Sequence, residues 1–183
     1  MKKLILLVLV MLILVPLTAL TIGGVDLPDK LTVGDKGLLL NGAGLRNKVI
    51  IKVYACGLYL PEKSLSSEAI LNDTTAIAIR MHFIYSKVDE GKLIEAWNDG
   101  FAKTGALQEF AMETSRFNAM FSEPAVKGDI YDIVYIPKTG VQVIRNNTVL
   151  GTINNPGFRK SVFSIWLAEN TDLTKLRENL LGN

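Results

Sequence analysis

The chain is short of the residues from which most active sites are built. Its 183 residues include one histidine, His82, and one cysteine, Cys56. A structural zinc site of cysteines and histidines is therefore excluded, and so is a site of three histidines. A serine triad would have to recruit His82 as its base, yet no Gly-x-Ser-x-Gly elbow is present. His82 reads first as a strand residue, although an imidazole is a chemically suitable acid or base. Cys56 makes no internal disulfide and lies in an apolar stretch, the setting of a buried structural thiol. There is no P-loop, and "GAGLRN" (42–47) lacks the third glycine of a dinucleotide fingerprint. No metal and no cofactor are expected. An excess of one charge is missing too: 20 basic residues face 18 acidic ones, with no basic cluster and no acidic tail. That balance argues against a nucleic-acid partner.

What is present begins with an address. "MKKLILLVLVMLILVPLTALT" (1–21) opens on two lysines, continues through an apolar run from Leu4 to Leu17, and ends in small residues. The run is shorter than the roughly 20 residues a bilayer-spanning helix needs, and the order of its parts is that of a secretory signal peptide. Residues 1–21 are read as that segment, with cleavage near Thr21 or Gly23, and 22–183 as one domain. A periplasmic or secreted location follows, with membrane contact only through the segment if it is retained. Its removal takes Lys2 and Lys3 and levels the basic residues with the 18 acidic ones.

The rest alternates between two periods. Short strands joined by turns are expected over 25–44. "KVIIKVYACGLYL" (48–60) reads as a strand, with Val49, Ile51, Val53 and Ala55 on one face and Lys52, Tyr54 and Cys56 on the other. Ser66–Leu71 reads as a short helix capped by Ser66 or Ser67. In "TAIAIRMHFIY" (75–85), Ile77, Ile79, Met81 and Phe83 share a face. Residues 88–121 turn helical, with Leu93, Ile94, Trp97 and Phe101 in one stripe and Phe110, Phe117, Met120 and Phe121 in another. Gly100 and Gly105 are expected to separate two helices. Three strands follow over 129–153, with Asn146-Asn147 as a tight hairpin turn. A stripe of Phe158, Val162, Ile165 and Trp166 and a helix over 171–181 close the chain. Trp97 and Trp166 read as core anchors. Strands early and late with helices between and after them describe an α+β domain, an antiparallel sheet covered by helices on one side.

The candidate site is Arg46. Arginine stays charged at ordinary pH and presents a fork of donors suited to a carboxylate. Placed at the edge of an apolar cavity it would hold an acidic amphiphile, charge at the mouth and hydrocarbon inside, with tyrosine hydroxyls completing the contact. The plainer alternative is a turn residue facing water beside Asn47 and Lys48.

"LNGAGLRNKVIIKVYACGLYLPEKS", "RFNAMF", "KGDIYDIVYIPKTGVQV", "LGTINNPGFRKSVFSIWLAE" and "LLGN" together resemble the chalcone isomerase-like family, in particular its secreted bacterial branch. The resemblance spans about 25–183 and implies an open-faced β-sandwich, a curved antiparallel sheet backed by a layer of helices with a cleft between. The family holds isomerases that close chalcones into flavanones and non-catalytic relatives, some of which bind fatty acids. The resemblance puts the cleft arginine of the enzymes on Arg46, where it stabilises negative charge. In place of the enzymes' threonine it puts Tyr54. A serine or threonine of the penultimate helix falls near Ser164 or Ile165, and Tyr85 and Asn98 lie near the remaining enzyme positions. Arg46 and Tyr54 are roughly 26 Å apart on one straight strand, so they share a site only if the chain turns between them; Tyr59 is the substitute partner. The ligand-binding set is thus Arg46, Tyr54 and Tyr59, with no confident catalytic residue. The expected function is an exported, non-catalytic binding protein for a fatty acid or similar apolar carboxylate. The alternatives are a chalcone-isomerase-type intramolecular lyase and a structural or interaction module with a vestigial cleft.

Overall fold

The computed structural model describes residues 19–182. Positions 1–18 of the expected signal segment lie outside the described residues. Its last three residues fall in strand β1 (Ala19–Ile22), which pairs with β2 (Val25–Pro28) as an antiparallel hairpin. The strands that follow are β3 (Lys30–Val33), β4 (Lys36–Lys48), β5 (Ile51–Leu60), β6 (Ile77–Phe83), β7 (Lys87–Val88), β8 (Ala125–Val126), β9 (Ile130–Ile136), β10 (Gly140–Arg145) and β11 (Thr148–Ile153). β7 and β8 pair with each other; the rest form one curled antiparallel half-barrel of seven strands in the order β11-β10-β9-β6-β5-β4-β3. The helices are α1 (Ser67–Asn72), α2 (Glu90–Thr104), α3 (Ala106–Glu109), α4 (Ala111–Ala119), α5 (Phe158–Leu167) and α6 (Thr174–Leu180). They pack against the sheet, giving the expected α+β architecture.

Local chemistry accounts for most of the boundaries. The Ser66 hydroxyl accepts from the Ala69 amide and starts α1. Asn146 and Asn147 both have positive φ, 49° and 69°, in the β10–β11 turn, the conformation the primed two-residue hairpin turns demand. Gly105 ends α2 in the left-handed region at φ 75°. Gly100 does not break the helix as expected. It lies inside α2, where a Cβ would press on the Ile165 side chain of α5, so its role is close helix packing.

The largest departure from expectation lies between 36 and 60. β4 is a single 13-residue strand, and the chain reverses at Val49-Ile50 before β5. The "GAGLR" stretch is mid-strand. A Cβ on Gly42 would strike the Asn179 and Leu180 carbonyls, and one on Gly44 the Asn179 side chain, so the glycines let α6 lie directly on the strand. Asn41 forms a bulge beside them and donates to the Leu180 carbonyl at 2.8 Å, anchoring the end of α6.

The sheet is apolar on both faces. Toward the helices, Tyr54, Cys56 and Leu58 of β5 join Ile77, Ile79, Met81 and Phe83 of β6 and the aromatic residues of α2, α4 and α5 in the main core. On the other face Leu38, Leu40, Tyr59, Ala78 and Val134 form a second cluster, and the buried Leu27 of β2 approaches Gly57 there. The second face also carries an ion pair. Arg80 and Asp132 stand opposite each other on β6 and β9, and two parallel bonds of 2.7 Å join them. Their side chains are only 14% and 9% exposed. Burial opposes the charge on Arg80, but the bond to Asp132 and its charge prevail and raise the guanidinium pKa. Removing one partner would strand the other charge in a dry setting. Arg80→Ala is expected to lose about 3–5 kcal/mol of stability in urea unfolding, and the double variant Arg80→Met/Asp132→Leu is expected to recover most of it.

Candidate functional site

The reversal at Val49-Ile50 removes the distance between the two leading site residues. Because β4 returns as β5, Arg46 and Tyr54 are directly paired across the hairpin and project from the same face. A second bulge at this point leaves Val53 as the extra residue of β5. Its carbonyl accepts from the amides of Ile84 and Tyr85, at 2.9 and 3.1 Å, tying the end of β6 to the hairpin. The bulge also breaks the expected alternation, so Val53 and Tyr54 both line one cleft.

That cleft has a volume of about 550 Å³ and lies between the ends of β4, β5 and β6, helix α2, helix α5 and the segment 170–173. The size is that of a small-molecule site. Its apolar lining includes Val53, Tyr54, Phe83, Leu93, Trp97 and Ile165. The lining is held from behind by aromatic contacts, Tyr54 with Phe83 at 5.4 Å between ring centres and Trp97 with Trp166 at 5.6 Å. A smaller hollow of about 340 Å³ shares Lys103, Thr104, Ser164 and Asn170 with the cleft and continues along α5.

Charge gathers at the rim. Lys87 pairs with Asp89 at 2.7 Å, Lys92 with Glu95 at 2.6 Å, and Lys103 with Asp172. Arg46 and Lys48 also line the cleft outside these pairs; Glu95, bonded to Lys92, feels the Lys48 charge as well, and Asp99 brings a further carboxylate to the lining. Arg46 is half-buried, and its guanidinium donates to the adjacent carbonyl of Asn47. Among the described residues Arg46 is thus the lining cation left without a carboxylate partner, beside an apolar floor.

Tyr54 supplies a defined donor. Trp166 donates its indole N–H to the tyrosine oxygen at 3.3 Å, which leaves the phenolic hydrogen free to point elsewhere. Burial, followed by the neighbouring Cys56, pushes the phenol pKa up, with the Trp166 bond and Arg46 pulling weakly the other way. Tyr54 is thus a neutral hydroxyl at ordinary pH. The indole N–H of Trp97, which also lines the cleft, is buried with no partner. Cys56 lies fully inside the core, where burial pushes its thiol pKa up and keeps it unreactive.

Other candidates are sorted by the same geometry. Tyr85, Ser164 and Ile165 line the cleft. Asn98 does not; its side-chain oxygen accepts from Asn118 at 2.7 Å within the helical layer. Tyr59 belongs to the opposite face of the sheet, where its hydroxyl is buried without a partner near Arg80 and Asp132. It cannot reach an anion held by Arg46. Five positions separate Tyr54 from Tyr59, and an odd separation on one strand means opposite faces. His82 is on that second face too, and burial, then the Arg80 charge, lowers its pKa. Lys48 and the unpaired indole of Trp97 were missed; the signal for Lys48 was its place next to a hairpin turn that the β-branched residues concealed.

A family model described as chalcone isomerase-like matches residues 19–182. No curated protein matches the chain. Among solved structures, a fatty-acid binding protein of Arabidopsis thaliana is similar, with a TM-score of 0.65 and 18% identity over 86% of this chain and 92% of that one. At that identity the likeness speaks for the fold alone.

The Tyr54–Trp166 bond yields a test of the site's frame. Tyr54→Phe leaves the indole N–H of Trp166 buried and unpaired, at an expected cost of about 1–3 kcal/mol in chemical unfolding. Near-ultraviolet circular dichroism of the tryptophans should change with it.

Proposed function

The chain belongs to the chalcone isomerase-like family, and on that premise we propose that it is an exported, non-catalytic binding protein for a fatty acid or similar apolar carboxylate. The observation that carries the reading is the pairing of Arg46 with Tyr54 at the mouth of an apolar cleft whose lysines are bound to carboxylates or, for Lys48, lie near one. A carboxylate head group would meet the guanidinium and the phenolic hydrogen, and its hydrocarbon would lie along Val53, Phe83, Leu93 and Trp97. The name of the similar Arabidopsis protein agrees with this chemistry. The N-terminal segment motivates the exported location.

Arg46 is asked only to bind charge. Tyr54 stands where the resemblance places the isomerases' threonine, and its raised pKa suits a fixed hydrogen-bond donor better than a proton shuttle. The isomerase alternative keeps one specific support: Arg46, Tyr85 and Ser164, three positions at or near those of the enzymes, line one cleft. Loss of a chalcone's visible absorption on mixing with the protein, abolished by Arg46→Ala, would establish it.

Mass spectrometry of organic extracts of the purified protein is expected to find a long-chain acid. Arg46→Ala should weaken fatty-acid binding by about 1.5–3 kcal/mol, roughly 10- to 150-fold, measured by calorimetry, and Arg46→Lys should retain part of the affinity. An extract free of lipid together with unchanged affinity in Arg46→Ala would refute the reading.

A further inference from the structure

The turn between β4 and β5 is built against its own local preferences. Val49 has φ 58°, a left-handed conformation that β-branched residues avoid and that glycine ordinarily fills in a two-residue hairpin. Val49 and Ile50 are each 92% exposed, against 76% for Met112 and 68% for Leu65, the next most exposed large apolar side chains of the described surface. Glycine or asparagine at 49 followed by a polar residue at 50 would be better suited to both the backbone and water. Two branched apolar residues displayed at a strained position call for an apolar partner beyond the protein.

The surroundings define that partner. Residues 46–52 read "RNKVIIK", with Arg46, Lys48 and Lys52 and no carboxylate of their own; Glu95 of α2 feels the Lys48 charge but is bonded to Lys92. Lys48 and Lys52 flank the tip, and Lys52 is exposed. Ile51, 42% exposed, and Tyr85, 40% exposed, lie at the same end of the sheet and line the cleft mouth. An apolar point in a basic collar, with a tyrosine beside it, matches the layering of an anionic bilayer surface: acyl chains at the centre, phosphates around them, and an aromatic side chain at their boundary. No helix among the described residues is long and apolar enough to cross a membrane, so the contact would be one of insertion at the surface.

We propose that the Val49-Ile50 hairpin tip docks the protein on an anionic lipid surface and turns the mouth of the cleft toward the bilayer. This deepens the reading of the cleft as a site for an apolar acid and rests on it for its purpose. It gives such a ligand a route between membrane and cleft without crossing water. It also adds a second membrane contact to any made by the N-terminal segment.

The test uses a probe local to the tip, so that anchoring elsewhere in the full chain does not register. Ile50→Cys carries an environment-sensitive nitrobenzoxadiazole label, while Cys56 stays unlabelled because it is buried. The same label on Met112→Cys, at an exposed site on α4, is the control. With vesicles of phosphatidylglycerol and phosphatidylethanolamine, the tip label is expected to shift to shorter wavelength and the control label to stay as in water. Lys52→Glu in the labelled protein should weaken the vesicle dependence about tenfold, and neutral phosphatidylcholine vesicles should give a weaker response than the anionic ones. Val49→Asn/Ile50→Asn relieves the backbone conflict, because asparagine tolerates positive φ; it should fold at least as well and bind a fluorescent fatty acid in vesicle-free solution as the unaltered chain does. In flotation with the N-terminal segment removed by the cell's own processing, it should stay with the soluble fraction. A tip label unmoved by anionic vesicles overturns the proposal. So does a shift that follows protein concentration without lipid, which would assign the tip to a second copy of the chain. A tip that inserts in a protein that binds no fatty acid leaves the docking standing and removes the cleft reading.

Discussion

The site depends on the register of one hairpin. β4 and β5 pair so that Arg46 faces Tyr54, and a slip of one residue would send the guanidinium to the opposite face of the sheet. Several features resist such a slip. The bulge at Asn41 is fixed by its bonds to Ser64 and Leu180, the bulge at Val53 by the amides of Ile84 and Tyr85, and Gly42 and Gly44 of β4 by the backbone and side chains of α6. Their partners lie in α6 and in the segments that follow β5 and β6. The register is therefore set by tertiary contacts at both ends of the strand pair, and the turn residues are released from defining it.

That release explains why the turn can be unfavourable. In most short hairpins asparagine or glycine at the tip specifies the reversal, as Asn146 and Asn147 do between β10 and β11. Between β4 and β5 the long ladder and its bulges impose the reversal on Val49, whose left-handed backbone costs on the order of 1–3 kcal/mol. The same logic applies to the sheet's second face, where the Arg80–Asp132 pair sits among Leu40, Tyr59, Ala78 and Val134. An ion pair adds little net stability over apolar residues of like volume. It does make the alignment of β6 with β9 specific, because any other register would bury two unpaired charges.

The architecture was legible in the sequence because periodicity carries it. Alternation over 77–83 and the stripes over 93–121 and 158–166 translate directly into faces that meet in the core. The hairpin at 49–50 was not legible, since the residues that mark it are among the strongest strand formers and the usual turn chemistry is absent. Gly100 misled in the opposite sense: glycine ordinarily signals a break, and here it accommodates Ile165 inside a continuous helix. For the site, the family resemblance selected Arg46 and Tyr54, but spacing along the chain placed them far apart and brought Tyr59 forward in compensation. The period of a strand alone would have separated Tyr54 from Tyr59. Which of two faces holds the cleft is a property of the helices that cover the sheet, and no stretch of β5 encodes it.

The division of labour within the cleft follows from magnitudes. Each methylene moved from water into an apolar lining is worth about 0.8 kcal/mol, so a chain burying ten of them would gain about 8 kcal/mol. On the proposed reading, the contact of a carboxylate with Arg46 and Tyr54 would contribute about 1.5–3 kcal/mol, since both partners surrender water to make it. Affinity would then scale with the length of hydrocarbon the floor accepts, and the adjoining hollow along α5, which shares Ser164 with the cleft, is the nearest further space for a longer chain. Arg46 acts on a different quantity. By making one end of such a ligand cheaper to leave at the rim than to bury, it would fix which way the chain enters, and it would disfavour neutral hydrocarbons that leave the guanidinium and the phenol hydrogen without a partner. The three lysine–carboxylate pairs around the rim sharpen that choice, because they hold other cations out of competition for the head group and leave the β4–β5 hairpin as the place where an anion is best received.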